Sequence, residues 1–120
     1  MAESALFIGW GAPVRGREAK GLDVFGEAGQ FWGQRQQEGA IESFDAVVIG
    51  PHGGDLYGFF LIRGSRDQLA TLMASDDFNL LTARAGLVVE RLGVVPAWVD
   101  EGLQQQLGVY QQAVQELGGM

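Results

Sequence analysis

The segment Ser43–Arg63, SFDAVVIGPHGGDLYGFFLIR, decides how the rest of the chain can fold. Two apolar runs, Phe44–Ile49 and Leu56–Ile62, flank a polar, glycine-rich turn at Gly50–Asp55. Strand-forming residues on both sides of residues that tolerate unusual backbone angles are typical of a β-hairpin. The segment therefore predicts two paired antiparallel strands.

Both predicted strands lack the alternation of a hairpin that has one face in water. Such a hairpin alternates apolar and polar side chains, but Ala46–Ile49 and Phe59–Ile62 are apolar at every position. The helices of so short a chain can cover one face, so we expect a second copy to cover the other. Val48 and Phe60 are examples of residues expected there, where an aspartate should dissociate or unfold the dimer. Only one of two adjacent strand positions faces the partner, and the sequence leaves open which one.

The remainder of the chain predicts further strands and helices around this hairpin. Ala5–Gly11 is a short run of strand formers, and Arg15–Glu38 carries an apolar stripe at helical spacing. Ser65–Gln68 has the sequence of a capping box, which predicts the start of a short helix. A second start at Ser75–Asp77 predicts a longer helix that runs to Glu90.

A fourth strand and a final amphipathic helix complete the pattern. Gly93–Val99 predicts a strand at a sheet edge or at a bulge, because Pro96 cannot donate a ladder hydrogen bond. Asp100 is expected to cap a helix over residues 100–117 that docks on the fold or on a partner chain. Its apolar seam, spaced by four, three, four and three residues, is Leu103, Leu107, Tyr110, Val114 and Leu117.

The order strand, helix, strand, strand, helix, strand, helix is the split βαβ pattern with an added helix. Right-handed crossovers place both crossover helices on one face of an antiparallel sheet and leave the other face bare. With its doubly apolar strands, Ala5–Val99 resembles the dimeric α/β-barrel superfamily, which includes antibiotic-biosynthesis monooxygenase-like, YCII-like and stress-responsive barrel domains. The resemblance implies an α+β, ferredoxin-like fold of four strands. It also implies a homodimer whose sheets pack face to face. The length of the chain suits one domain over residues 1–120.

Composition limits the partners and the compartment. The 120 residues carry a net charge of −7 with eight dispersed basic residues, which argues against nucleic acid and anionic membranes. There is no cysteine, so neither a disulfide nor a thiolate metal site is expected, and one histidine is little for any other metal site. No apolar run is long enough to span a membrane, and Met1–Ser4 lacks the basic region of a secretory leader. We therefore expect a cytoplasmic protein.

The single histidine, His52, is the candidate catalytic acid or base. Its side chain titrates near neutral pH, and Asp45 or Asp55 could orient it. The alternative is a solvent-exposed turn residue. YCII-like proteins are known for a His–Asp pair, but His52 does not match the position of that motif, so the role is not carried over.

Aromatic residues are the candidate ligand-binding group, namely Trp10, Trp32, Tyr57 and Trp98. The resemblance implies a pocket between the sheet and its helices, within one subunit. Large aromatic walls with one polar handle suit a planar organic ligand, whereas the alternative is that these side chains only form core. The glycines expected to leave room for a ligand are Gly9, Gly29, Gly33 and Gly58.

Two functions follow as alternatives. The first is a homodimer that binds a small planar or aromatic molecule, or that has a structural role, without catalysis. The second, implied by the resemblance, is a cofactor-independent monooxygenase or isomerase acting on an aromatic or polyketide-like molecule, where the protein supplies desolvation and a few polar contacts. A pocket of roughly a few hundred cubic ångströms containing His52 or Tyr57 would favour the enzyme. A well-packed interface between sheet and helices would favour the first function.

Overall fold

A computed structural model describes residues 3–118. In chain order the elements are β1 (Ser4–Trp10), α1 (Glu18–Gln37), β2 (Ser43–Val48), β3 (Gly58–Gly64), α2 (Arg66–Met73), α3 (Asp76–Val88), β4 (Gly93–Ala97) and α4 (Asp100–Glu116). Met1 and Ala2, on which the leader prediction partly rests, lie outside the described residues. No helix within residues 3–118 is both long enough and apolar enough to cross a membrane.

The strands form one antiparallel sheet in the order β2-β3-β1-β4. The predicted hairpin is confirmed, since Phe44 lies opposite Ile62 and Val47 opposite Phe59. β4 is an edge strand, which is one of the two positions that Pro96 predicted. Proline has no N–H to donate, and at an edge one side of the strand has no neighbour that needs this donor. The observed element order is the predicted split βαβ pattern with a helix added at the end.

Serine side chains fix the starts of α2 and α3, as the sequence predicted. The Ser65 hydroxyl accepts from the Gln68 N–H at 3.0 Å, and the Gln68 side chain accepts from the Ser65 N–H at 2.8 Å. The Ser75 hydroxyl accepts from the Phe78 N–H at 3.3 Å. Each bond satisfies a backbone donor that the first turn of a helix leaves unpaired.

One face of the sheet, here called the covered face, is buried under helices. Leu6 and Ile8 of β1 point to this side with Phe60 and Ile62 of β3, and Ile62 is 0% exposed. The helical side chains in the same core are Ala28, Trp32, Leu69, Leu72, Phe78 and Leu81. Burying one such side chain contributes about 1.5–3 kcal/mol, so this layer stabilises the protomer.

The opposite face, here called the outer face, is also apolar but is far less buried. Phe7, Phe59 and Leu61 are half-buried on this side, and Val95 is 49% exposed. The rings of Phe7 and Phe59 contact each other across β1 and β3, with centroids 5.2 Å apart. The outer face therefore carries a continuous apolar centre that the helices do not bury.

Val48 and Phe60 do not lie on the outer face, and that prediction is wrong. Phe60 belongs to the buried core, and Val48, opposite Gly58, points to the same side at the exposed end of β2. Side chains alternate between the two faces of a strand, so the neighbours of Phe60 occupy the outer face instead.

The last helix begins differently from the prediction. Val99 is its N-cap and makes no side-chain cap hydrogen bond, whereas Asp100 is the first helical residue and has a φ of 51°. Gly102 is the single buried residue of α4 within residues 3–118. A Cβ at position 102 would lie only 2.0 Å from the Glu3 carbonyl oxygen, so the first turn requires glycine there. Beyond the first turn, Gln105, Gln106 and Val109 face the protomer across an open hollow, and none of them is buried.

Candidate functional site

A cavity of about 90 Å³ lies between the covered face of the sheet and the helices α1 and α3. Trp10 and Phe60 form its wall on the sheet side, Phe25 and Trp32 on α1, and Ala85 on α3. The cavity therefore occupies the location implied by the resemblance, between the sheet and its helices in one subunit.

Three aromatic rings form a connected cluster along this wall. Phe25 stacks on Phe60 with centroids 5.5 Å apart and an interplanar angle of 24°. Trp10 meets both rings, at 5.8 Å from Phe25 and 5.4 Å from Phe60. These distances lie in the range where aromatic pairs attract each other. Phe25 is 36% exposed, so its ring lies at the boundary between the cavity and solvent.

A glycine on the neighbouring strand makes room for Trp10. Gly58 lies opposite Trp10, and a Cβ at position 58 would lie 2.6 Å from the indole ring. A Cβ at Gly9 would likewise lie 2.6 Å from the ring of Phe7. The space at both glycines is thus filled by aromatic rings of the protein itself. Gly29 and Gly33 of α1, which were also expected to leave room for a ligand, do not line the cavity either.

The cavity wall offers little polar chemistry. Its one hydroxyl side chain, Thr82, donates to the Phe78 carbonyl oxygen at 2.6 Å and so is bonded within α3. No titratable side chain is among the residues that line the cavity. The site can therefore provide dispersion and ring contacts, but it has no acid or base to act on a bound molecule.

Polar contacts outside the cavity hold α1 and α3 together. Arg84 Nε donates to Glu27 Oε1 at 3.2 Å, and a second bond joins the same two side chains. The Arg17 guanidinium donates to the Leu87 carbonyl oxygen at 2.9 Å. Ion pairs at such exposed positions contribute about 0–1 kcal/mol, so they orient the helices more than they stabilise them.

The four aromatic residues predicted to bind a ligand do not converge. Trp10 and Trp32 line the cavity. Tyr57 lies in the loop before β3 and Trp98 just after β4, both exposed and neither at the cavity wall. Both residues lie just outside strands that the sequence predicted to include them.

His52 is exposed in the hairpin loop, and its Nδ1 lies 3.0 Å from a backbone carbonyl oxygen two residues earlier. The carboxylates predicted to orient it pair with arginines instead, Asp55 with Arg91 at 3.7 Å and Asp45 with Arg63. The loop forms a hollow of about 480 Å³, separate from the cavity and lined by His52 and Tyr57. It has the size and the two residues expected of an enzyme site, but no carboxylate lines it beside His52. The catalytic role of His52 stays a prediction, without the partners expected for it.

Phe25, Phe60 and Ala85 are cavity residues that the sequence did not single out as site residues. In the sequence, Phe25 belongs to an apolar helical stripe and Phe60 to an apolar strand. Ordinary core residues occur in the same two patterns. Ala85 matters because its small side chain leaves space, which only the packed structure reveals. Among the described residues, no three His, Cys, Asp or Glu side chains are placed to hold a metal ion.

A solved structure shares this architecture. It is the crystal structure of a dimeric protein of unknown function with a ferredoxin-like fold, from Bacteroides fragilis NCTC 9343. The match has a TM-score of 0.60 and 8% sequence identity, and covers 80% of this chain and 96% of that chain. The fold is ferredoxin-like. At this identity the likeness concerns the ferredoxin-like fold alone. No protein-family model matches the chain, and no curated protein does.

Proposed function

We propose that this protein is a homodimer of the dimeric α/β-barrel type that binds a small, planar, apolar organic molecule without catalysing a reaction on it. The binding site is the cavity between the sheet and the helices α1 and α3. The observation that carries the proposal is the cavity wall, which presents Trp10, Phe25, Trp32 and Phe60 and no titratable side chain. Aromatic walls of this kind favour flat ligands through burial and ring–ring contacts.

The size of the cavity indicates how such a ligand enters. About 90 Å³ is smaller than the apolar cavity of about 150 Å³ that is known to bind benzene. The half-exposed ring of Phe25 stacks on Phe60, and its outward rotation would add room at the mouth. A ligand ring would then take the place of the Phe25 ring against Phe60 and Trp10.

The same cavity wall supports ligand binding without catalysis rather than a monooxygenase or isomerase activity. A proton transfer needs an acid or base within hydrogen-bond reach of the substrate. Neither His52 nor Tyr57 lies at the cavity, and the Thr82 hydroxyl is already bonded to its own helix. The cavity would supply only desolvation to a reactive substrate.

The outer face supports the homodimer. The four strands have five to seven residues and present a face of roughly 19 by 21 Å, or about 400 Å² in projection. The centre of this face is apolar, and apolar patches that remain exposed on soluble monomers are frequently functional. Two copies related by a two-fold axis would bury Phe7, Phe59 and Leu61 of each protomer against the same residues of the other. The ferredoxin-like protein from Bacteroides fragilis is itself dimeric.

Titration of the tryptophan fluorescence with naphthalene tests the ligand site. We expect naphthalene to change the emission of Trp10 and Trp32, and Ala85→Leu to fill the cavity and weaken binding by about tenfold or more, equal to 1.4 kcal/mol. Ala83→Leu is the matched control, because Ala83 is exposed on the same helix and does not line the cavity. Equal affinities of the two variants, or no binding by the wild type, would contradict the ligand site.

Light scattering after size exclusion tests the homodimer. The chain has a mass of 12.9 kDa, so a dimer has a mass of twice that value. A monomer at every concentration tested would overturn the homodimer, while the fluorescence titration would still decide the ligand site.

A further inference from the structure

α4 leaves a line of large apolar side chains in water. This seam consists of Leu103, Leu107, Tyr110, Val114 and Leu117, each between 44% and 67% exposed. By contrast, Leu69 and Leu72 of the shorter helix α2 are buried in the core. A helix with this pattern gains stability only when another surface covers the seam.

The seam does not point towards the rest of its own protomer. The residues of α4 that face the protomer are Gly102, Gln105, Gln106 and Val109. At 3.6 residues per turn, the middle of that side lies about 110° around the helix from the middle of the seam. A tilt of α4 towards its own α2 would therefore bury mainly glutamine side chains and leave the seam exposed.

The spacing of the seam matches the pairing of two helices. Steps of four, three, four and three residues give a period of 3.5, which is that of a two-stranded coiled coil. Leu107 and Val114 then occupy the a positions of a heptad, and the other three seam residues occupy d positions. We infer that α4 pairs with the α4 of a second copy of this chain through this seam. The pairing rests on the self-association proposed above and adds a second contact surface to it.

The residues beside the seam suit two identical helices. The e and g positions of this heptad are Gln104, Gln106, Gln111 and Ala113. A helix that pairs with itself brings its own flanking residues together, so like charges there would repel, and these four residues carry none. α4 also lacks lysine and arginine, which amphipathic helices use to bind anionic membranes. The charge pattern thus favours a second copy over a lipid surface.

The contact area needed for a stable dimer points the same way. The outer face is small for an interface, at about 400 Å² in projection. α4 has 17 residues, and a helix of that length is about 25 Å long and about 10 Å wide. Its seam therefore adds about 250 Å² in projection, which enlarges the contact by more than half and so favours a stable dimer.

Disulfide trapping tests the pairing directly, because the chain has no cysteine. Tyr110 is the middle residue of the seam, so two copies of position 110 lie close together in a parallel pair and in an antiparallel pair centred on it. We expect Tyr110→Cys to form a disulfide-linked dimer at least about tenfold faster than Gln112→Cys, since a disulfide needs Cβ atoms about 4 Å apart. Gln112 is an exposed residue on the opposite side of the same helix. Equal rates for the two variants would overturn the pairing.

A charge variant separates this inference from the proposed homodimer. Leu107→Asp with Val114→Asp places two carboxylates in the seam, and Gln105→Asp with Gln112→Asp places two outside it. We expect the first double variant to raise the dissociation constant of the assembly by at least about tenfold, or 1.4 kcal/mol, and the control to leave it unchanged. If the wild type assembles and both double variants have the same dissociation constant, the α4 pairing is overturned and the sheet dimer is not. A monomeric wild type would overturn both.

Discussion

The two faces of the sheet are built from neighbouring residues of the same strands, yet they differ in what covers them. On the covered face, Phe60 and Ile62 are buried beneath α1 and α3, whereas on the outer face Leu61 is half-buried and Val95 is 49% exposed. Both faces are apolar. Residue type therefore does not identify the core of the protomer. The core lies on the side of the sheet that the crossover helices cover.

The largest expected effect comes from placing the same charge on each face at neighbouring positions. Ile62→Asp would bury an unpaired carboxylate at a position that is 0% exposed, so we expect a cost of more than about 4 kcal/mol and loss of folding. Leu61→Asp should keep the helical circular dichroism signal and weaken association instead. Thermal unfolding followed by circular dichroism, together with light scattering, separates the two results. Equal loss of structure in both variants would show that the faces are equivalent.

A smaller effect is expected from shortening a side chain on each face. Leu6→Ala should lower the free energy of unfolding by about 2–5 kcal/mol, because Leu6 is buried in the core. Phe7→Ala should cost less in dilute protein, about 1–2 kcal/mol, since the Phe7 ring is only half-buried there. Urea denaturation at low and high protein concentration measures both. The cost of Phe7→Ala should rise with concentration, and a constant cost would argue against burial of the outer face.

The smallest effect is expected from the ion pair on the outer face. Asp45 and Arg63 lie on adjacent strands, with side chains 53% and 30% exposed. A double-mutant cycle with alanine at both positions should give a coupling of about 0.2–1 kcal/mol in dilute protein, and salt should reduce it. A coupling well above that range would indicate that the pair is removed from water even in the isolated protomer.

Much of the fold could be predicted because its signals are local. The hairpin depends on a glycine-rich turn between two apolar runs, and the serine caps of α2 and α3 depend on residues three positions apart. Pro96 alone limits β4 to a sheet edge or a bulge, and β4 lies at an edge. Such features need no knowledge of distant residues.

The face of each strand residue could not be predicted, because a run such as Phe59–Ile62 has no alternation to set the register. Which of the candidate site residues lie together could not be predicted for a related reason. The cavity wall joins four separate elements, β1, α1, β3 and α3. An error of one or two residues at the end of a strand leaves Tyr57 and Trp98 outside the strands. Small residues such as Ala85, which create the cavity, carry no signal until the helices are packed.

The near-complete exposure of α4 has a consequence for hydrogen exchange. Amides of the central strands β1 and β3 exchange only when the protein unfolds globally, whereas a helix with one buried residue exchanges through local opening of low free energy. An isolated helix of 17 residues is only marginally stable in water. The protection of α4 should therefore be low in dilute protein and rise as the chains assemble, whereas the sheet should already be protected in the isolated protomer. The degree of helical order in α4 then depends on the protein concentration.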